Sequence, residues 1–171
     1  NLVDVHQRRT YPAVLHIDRG RIVRIEPTQD KYRNYLAPGL VDAHIHVESS
    51  MLSPTQYALA AVRHGTIASV SDPHEIANVL GMGGIELMLN DGQRHPLKFN
   101  FGAPSCVPAT EFETAGAALD ADTVQRLLDD PRINYLSEMM NWPGVLGGDA
   151  QCLAKIHAAH QRNMPVDGHA P

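Results

Sequence analysis

Asp42, His44 and His46 occupy alternate positions in the segment VDAHIHVESS, residues 41–50, and apolar residues lie between them. In a β-strand successive side chains point to opposite faces, so the three polar groups would share one face. Burying an acid and two imidazoles costs free energy unless something pairs with them. A metal ion held by the two histidines is the simplest explanation, and the deeper Asp42 is expected to accept hydrogen bonds.

Further polar groups follow each later apolar segment of the chain. These groups are Asp72 to Glu75, Ser105 with Cys106, Glu138 and His169. In a barrel of parallel strands the active site lies where the carboxyl ends of the strands meet. The recurrence of ligand-type residues at that level is stronger evidence for a site than any single motif.

Glu138 carries the most information among these residues, because Tyr135, Leu136, Met139 and Met140 surround it in the sequence. An unpaired buried carboxylate costs several kcal/mol, on the order of 3–5. A salt bridge to lysine or arginine would explain it, and so would a carboxylate that bridges two cations. The plainer alternatives for the histidines are a half-exposed strand at His44 and His46 and a frayed terminus at His169.

Segments typical of strands and helices alternate after residue 39. Strands are predicted at 40–46, 66–72, 97–103, 133–140 and 164–170, and helices at 53–64, 76–90, 120–130 and 149–163. This order predicts an α/β fold with a parallel sheet. Strand starts roughly 30 residues apart suit a TIM-type (β/α)8 barrel of about 250 residues, of which this chain would form the first half.

The first 36 residues have a different pattern. The segments AVLHID and RIVRIE flank Arg19-Gly20 and predict a hairpin. With LVDV they form a small N-terminal β layer, and APG at 37–39 acts as a hinge. The predicted domains are therefore residues 1–36, a partial β domain, and residues 37–171, the first half of a barrel.

Composition narrows the function classes. The net charge is −5 and no basic stripe is visible, which argues against nucleic-acid binding. No apolar run reaches the roughly 18 residues of a membrane span. The two cysteines form no C-x-x-C pattern, which favours a reducing, cytoplasmic compartment. The first residue is Asn1, and we expect the sequence to begin inside a longer protein.

Five blocks of the sequence resemble the adenine deaminases of the amidohydrolase superfamily. They are PGLVDAHIHVESSML, SDPHEIANVLG, PSCVPAT, EMMNWPGV and VDGHAP, in that order. The resemblance covers nearly everything from residue 37 onward, and residues 1–36 resemble part of the small β domain that accompanies such barrels. It implies a metallo-dependent hydrolase barrel that hydrolyses adenine to hypoxanthine and ammonia in purine salvage.

The resemblance also implies a binuclear divalent metal centre. His44 and His46 would hold the first metal, His169 the second, and Glu138 would bridge both where many relatives use a carboxylated lysine. Zinc, manganese and iron all suit such ligands, and the resemblance favours manganese or iron(II). The loop residues expected to contact the purine are Glu48, Ser49, His74, Glu75 and Ser105. The complete protein is expected to be a homo-oligomer.

Two alternatives remain open at this point. The resemblance implies a histidine after strand six and an aspartate after strand eight, and this chain contains neither position. It would then be a non-catalytic fragment whose open sheet edges promote self-association. The other alternative is a different binuclear amidohydrolase, such as an N-acetyl sugar deacetylase.

Overall fold

A computed structural model describes residues 1–110 and 112–169 and divides the chain into two compact units. The first unit, Asn1–Gly39, holds two antiparallel hairpins. β1 (Leu2–Asp4) pairs with β2 (Arg9–Tyr11), and β3 (Ala13–Asp18) pairs with β4 (Arg21–Pro27). Arg19 and Gly20 both have positive φ, as the primed turn of a two-residue hairpin requires.

In the second unit, from Leu40 onward, strands alternate with helices. The strands are β5 (Leu40–Ile45), β6 (Thr66–Ser71), β7 (Lys98–Ala103), β8 (Ile133–Met139) and β9 (Val166–Gly168). The helices are α1 (Pro54–Ala61), α2 (His74–Leu80), α3 (Met82–Gly92), α4 (Ala121–Leu128), α5 (Trp142–Gly147) and α6 (Ala150–Gln161). The five strands form one parallel sheet in the order β5-β6-β7-β8-β9. The α/β class and the partial TIM-type barrel are thereby confirmed.

The ends of the helices are set by capping side chains and by the backbone angles of a glycine. The side chains of Asp120 and Asp149 accept hydrogen bonds from the first turns of α4 and α6. The predicted helix at 76–90 is two helices, because Gly81 has a φ of 59° and a ψ of −138° that end α2. α5 was not predicted and begins at a cap made by Asn141. Among the described residues, every helix is too short or too polar to cross a bilayer.

The apolar faces of the helices cover the sheet. The core consists mainly of buried side chains from α3, α4, α6 and the sheet, among them Ile85, Leu89, Val124, Leu128 and Leu136. Gly102 permits a close approach between β7 and β8, because a Cβ atom there would lie 2.7 Å from Cζ of Tyr135. The Tyr135 ring therefore packs across β7 where a side chain would otherwise stand.

Arg132, just before β8, joins α3 to the turn that follows α4. Its guanidinium lies 2.8 Å from a carboxylate oxygen of Glu86 on α3 and 2.6 Å from one of Asp130, which follows α4. It also donates to the Asn90 side chain. These hydrogen bonds lower the pKa of both carboxyl groups below their ordinary values.

This cluster predicts a pH dependence of stability. A carboxylate with a lowered pKa stabilises the fold above its unfolded value and loses that effect as the pH falls through its folded value. The ordinary pKa values are 4.5 for Glu86 and 3.8 for Asp130, so this stabilisation is lost as the pH falls below those values. Arg132→Met should lower the free energy of unfolding at pH 7 by about 1–2 kcal/mol and flatten its decline in acid. Urea unfolding at several pH values measures this.

Arg94→Met is the matched control, because Arg94 is largely exposed and lies 4.0 Å from Asp91. Exposed pairs at that distance contribute little. An acid profile of Arg132→Met that parallels the wild type would contradict the prediction.

Candidate metal centre

The carboxylate of Glu138, on β8, is the centre of the candidate site. Its residue is 6% exposed. Its oxygens lie 3.2 Å from His44 Nε2, 3.4 Å from His46 Nε2 and 3.2 Å from His169 Nδ1. The structure therefore brings together the four residues that were predicted as metal ligands.

The curl of the sheet makes this meeting possible. His44 lies on β5, His46 follows that strand by one residue, and His169 follows β9 by one residue. β5 and β8 are not neighbours in the sheet, since β6 and β7 lie between them. A contact of 3.2 Å between His44 and Glu138 thus requires the carboxyl ends of the strands to bend toward one another.

Hydrogen bonds orient the imidazole rings. His46 Nδ1 lies 2.9 Å from the carbonyl oxygen of Asp72, which can only accept, so Nδ1 carries the proton. In the neutral ring Nε2 then presents a lone pair toward Glu138. His44 Nδ1 lies 3.5 Å from a carboxylate oxygen of Asp167. This arrangement of backbone or carboxylate, imidazole and ligand position is typical of metal sites.

Electrostatics inside the cluster favour a bound cation. Nε2 of His44 and Nε2 of His46 are 3.1 Å apart, and both face the same carboxylate. Lone pairs and a negative charge at these distances repel one another unless a proton or a metal lies between them. Among the described residues, no lysine or arginine nitrogen lies within 4.0 Å of Glu138, so the salt-bridge alternative fails there. The donor set fits a divalent metal.

Asp72 and His74 extend the cluster beyond the predicted ligands. Ligand atoms of His46, Asp72, His74 and Glu138 all lie within 4.8 Å of one another. Asp72 is 1% exposed, and its two oxygens have no hydrogen-bond partner among the described residues. His74 Nδ1 lies 3.2 Å from one of these oxygens without the alignment of a hydrogen bond. The sequence signal was the DPHE segment at the end of a predicted strand, where Asp72 received no ligand role.

Charge also affects His74. Burial lowers the pKa of His74, but the neighbouring carboxylates of Asp72, Glu138 and Glu75 outweigh burial and raise it. Its ring packs edge-on against His46, with centroids 4.6 Å apart. His74 therefore lies between the metal-type ligands and the carboxylate of Glu75 in the first turn of α2.

The remaining predicted contact residues lie around this cluster in two environments. Ser49 donates to the carboxylate of Glu75 at 2.6 Å, and a Glu48 oxygen accepts from the Ile76 amide at 3.2 Å. These bonds tie the segment after β5 to α2. Ser105 differs, because it is buried and its hydroxyl donates to the carbonyl oxygen of Glu138. Substrate contact by Glu48, Ser49, His74, Glu75 and Ser105 stays a prediction.

Asp42 accepts hydrogen bonds. It accepts from the backbone amide of His44 at 3.3 Å and from the hydroxyl of Tyr57 at 3.2 Å. Burial raises the pKa of Tyr57, and the Asp42 carboxylate raises it further. Asp42 thus fastens α1 to the strand that carries His44 and His46.

Comparison with known proteins identifies the family. Residues 35–170 match the Amidohydrolase family. The chain belongs to this family. Adenine deaminase of Salinibacter ruber is 58% identical over 170 residues, 99% of this chain and 31% of that protein. Proteins of the same name are 53% identical in a Sulfurovum species and 51% identical in Methanosarcina acetivorans. This amidohydrolase chain spans about a third of the length of these relatives.

The buried carboxylate of Asp72 accepts no hydrogen bond among the described residues and has the His74 ring 3.2 Å away, and it predicts a stabilising substitution in this amidohydrolase. In the metal-free chain, Asp72→Asn removes a buried negative charge at nearly constant shape. We expect the free energy of unfolding to rise by about 1–3 kcal/mol. Urea unfolding in the presence of a chelator measures the change.

Asp167→Asn is the matched control, because Asp167 is more exposed and its removal should change stability by no more than about 0.5 kcal/mol. A lower stability of Asp72→Asn would show instead that the carboxylate is paired in the folded chain.

Proposed function

We propose that this chain forms the metal-binding portion of an enzyme that hydrolyses adenine to hypoxanthine and ammonia. The observation that carries the proposal is the convergence of His44, His46 and His169 on the buried Glu138. It occurs in a chain that is 47–58% identical over nearly its whole length to several proteins named adenine deaminase. Substrate, activity and partners of the whole protein rest on that likeness.

The proposed cofactor is a pair of divalent metal ions, with manganese or iron(II) favoured and zinc also compatible with the ligands. His44 and His46 would hold one ion, His169 would contribute to the other, and Glu138 would serve both. When bound, the metals supply an activated water by lowering its pKa. The carbonyl of Asp72 accepts from Nδ1 of His46, which leaves Nε2 of that ring free to ligate, and the carboxylate of Asp167, 3.5 Å from Nδ1 of His44, would favour the same tautomer there.

The substrate side of the proposal concerns the segment after β5 and the first turn of α2. Glu48, Ser49, His74 and Glu75 lie beside the ligands, and the hydrogen bond from Ser49 to Glu75 fixes these two segments relative to each other. Acceptors and donors at this edge suit the ring nitrogens and the amino group of a purine. We assign them to orienting adenine.

A cytoplasmic location and self-association of the complete protein stay predictions. Both cysteines, Cys106 and Cys152, are free and buried, which agrees with a reducing compartment. Neither property bears on the chemistry of the cluster.

Metal binding should stabilise this chain through Glu138. A ligand present at about 100 times its Kd adds about 2.7 kcal/mol to the free energy of unfolding. We expect Mn²⁺ or Co²⁺ to raise the Tm of the wild type and to leave that of Glu138→Gln unchanged. Thermal unfolding with and without metal measures the difference.

Glu113→Gln is the control, because it makes the same chemical change at an exposed glutamate. It should retain the full metal-induced shift. An equal shift in Glu138→Gln would remove Glu138 from the ligand set.

A chimera tests the reaction itself. The matching segment of the Salinibacter ruber protein is replaced by this chain, and release of ammonia from adenine is followed. We expect activity within about tenfold of the parent, and a loss of at least about a hundredfold when Glu138→Gln is added. A folded chimera that releases acetate from an N-acetyl sugar but no ammonia from adenine would contradict the proposal.

A further inference from the structure

Lys155 is a buried lysine outside the cluster of metal-type ligands. It lies on α6, is 8% exposed, and no carboxylate among the described residues lies within 4.0 Å of its ammonium group. Burial lowers the pKa of Lys155. Its Nζ donates to the carbonyl oxygens of Ser105 and Leu119, both at 2.8 Å. Lys155 therefore holds two backbone segments together through its ammonium group.

The two acceptors lie at the ends of the segment that joins β7 to α4. Ser105 follows β7, and Leu119 precedes the cap of α4. The two ends are also joined directly, because the Leu119 amide donates a hydrogen bond of 2.9 Å to the carbonyl oxygen of Val107. Lys155 therefore clamps both ends of this connection to α6, and it fixes the position of Ser105.

Ser105 in turn holds the backbone of Glu138. The paired register of β7 with β8 ends at Ala103 and Leu136, so Glu138 lies beyond the last paired residue. Its carbonyl oxygen accepts a local bond from the Met140 amide and a hydrogen bond from the Ser105 hydroxyl. The hydroxyl thus supplies the cross-strand partner that β7 no longer provides at this point.

We infer that Lys155 is a positioning residue for the metal-bridging carboxylate and that it acts through Ser105. The inference rests on the proposed function, because it assumes that Glu138 binds metal. Two hydrogen bonds connect the ammonium group to the peptide of Glu138, and no alternative support of that peptide from β7 exists among the described residues. We expect removal of either bond to loosen the Glu138 peptide on its β7 side, while the pairing of Met139 with Gly168 still holds the β9 side.

Titration of the chelator-treated chain with Co²⁺ alone tests the inference. Its visible absorption reports both affinity and ligand geometry. We expect Lys155→Met and Ser105→Ala each to weaken Co²⁺ binding about tenfold or more and to change the absorption bands in the same way. Because Lys155 is proposed to act on Glu138 through Ser105, the double variant should bind Co²⁺ no more weakly than the single variant with the lower affinity.

The matched control is Lys98→Met, the same change at an exposed lysine at the opposite end of β7. It should leave Co²⁺ affinity within twofold of wild type. Urea unfolding of the metal-free variants separates a loss of stability from a loss of affinity. If Lys155→Met does not fold, Lys155→Gln replaces it, and an unchanged affinity of Ser105→Ala overturns the inference.

The outcomes separate this inference from the proposed function. A folded wild type that binds no Co²⁺, like Glu138→Gln, overturns the metal centre and the inference with it. A wild type that binds Co²⁺ while Lys155→Met binds equally well, or effects that add in the double variant, overturns the role of Lys155 alone. Weakened, non-additive binding with retained folding supports it.

Discussion

The convergence of three imidazoles on the buried carboxylate of Glu138 is the constraint on which the candidate site of this chain depends. At 6% exposure Glu138 is poorly solvated, so a proton or a metal ion between its carboxylate and the imidazole nitrogens is needed to offset their mutual repulsion. Every neighbouring element has a part in holding this arrangement. β5 and β9 deliver the histidines, the carbonyl of Asp72 fixes one ring, and the loop after β7 supports the peptide of Glu138.

The sequence predicted the elements whose signals are local. Alternation of polar and apolar residues placed β5, and the caps at Asp120 and Asp149 placed the starts of α4 and α6. The split between α2 and α3 was less visible, because it depends on the backbone angles of Gly81. α5 was missed because WPGVLG is short, and Asn141 alone marks its beginning.

The residues of the candidate site also divide into those with a local sequence signal and those that only the folded structure reveals. His44, His46, Glu138 and His169 were predicted as ligands because each lies at or near the carboxyl end of a predicted strand, where the topology of a barrel brings such residues together. The clamp made by Lys155 depends on three-dimensional packing between segments 30 or more residues apart, and the burial of Asp72 depends on the folded surroundings of the site. A lysine in a helix reads as solvent-exposed from its type alone, and only the fold shows that it is buried.

The parallel sheet has one further consequence, which concerns the order of folding. His44 and Glu138 belong to strands separated by β6 and β7, so these two ligands meet only after three consecutive strand pairings have formed with the correct twist, and a fourth pairing, β8 with β9, adds His169. Contacts between residues so distant in sequence form late, because the chain entropy of closing such loops must be overcome first. A sheet that is paired but too flat leaves the imidazoles apart from the carboxylate. A metal ion bound at this site would therefore favour the curved sheet over flatter paired states.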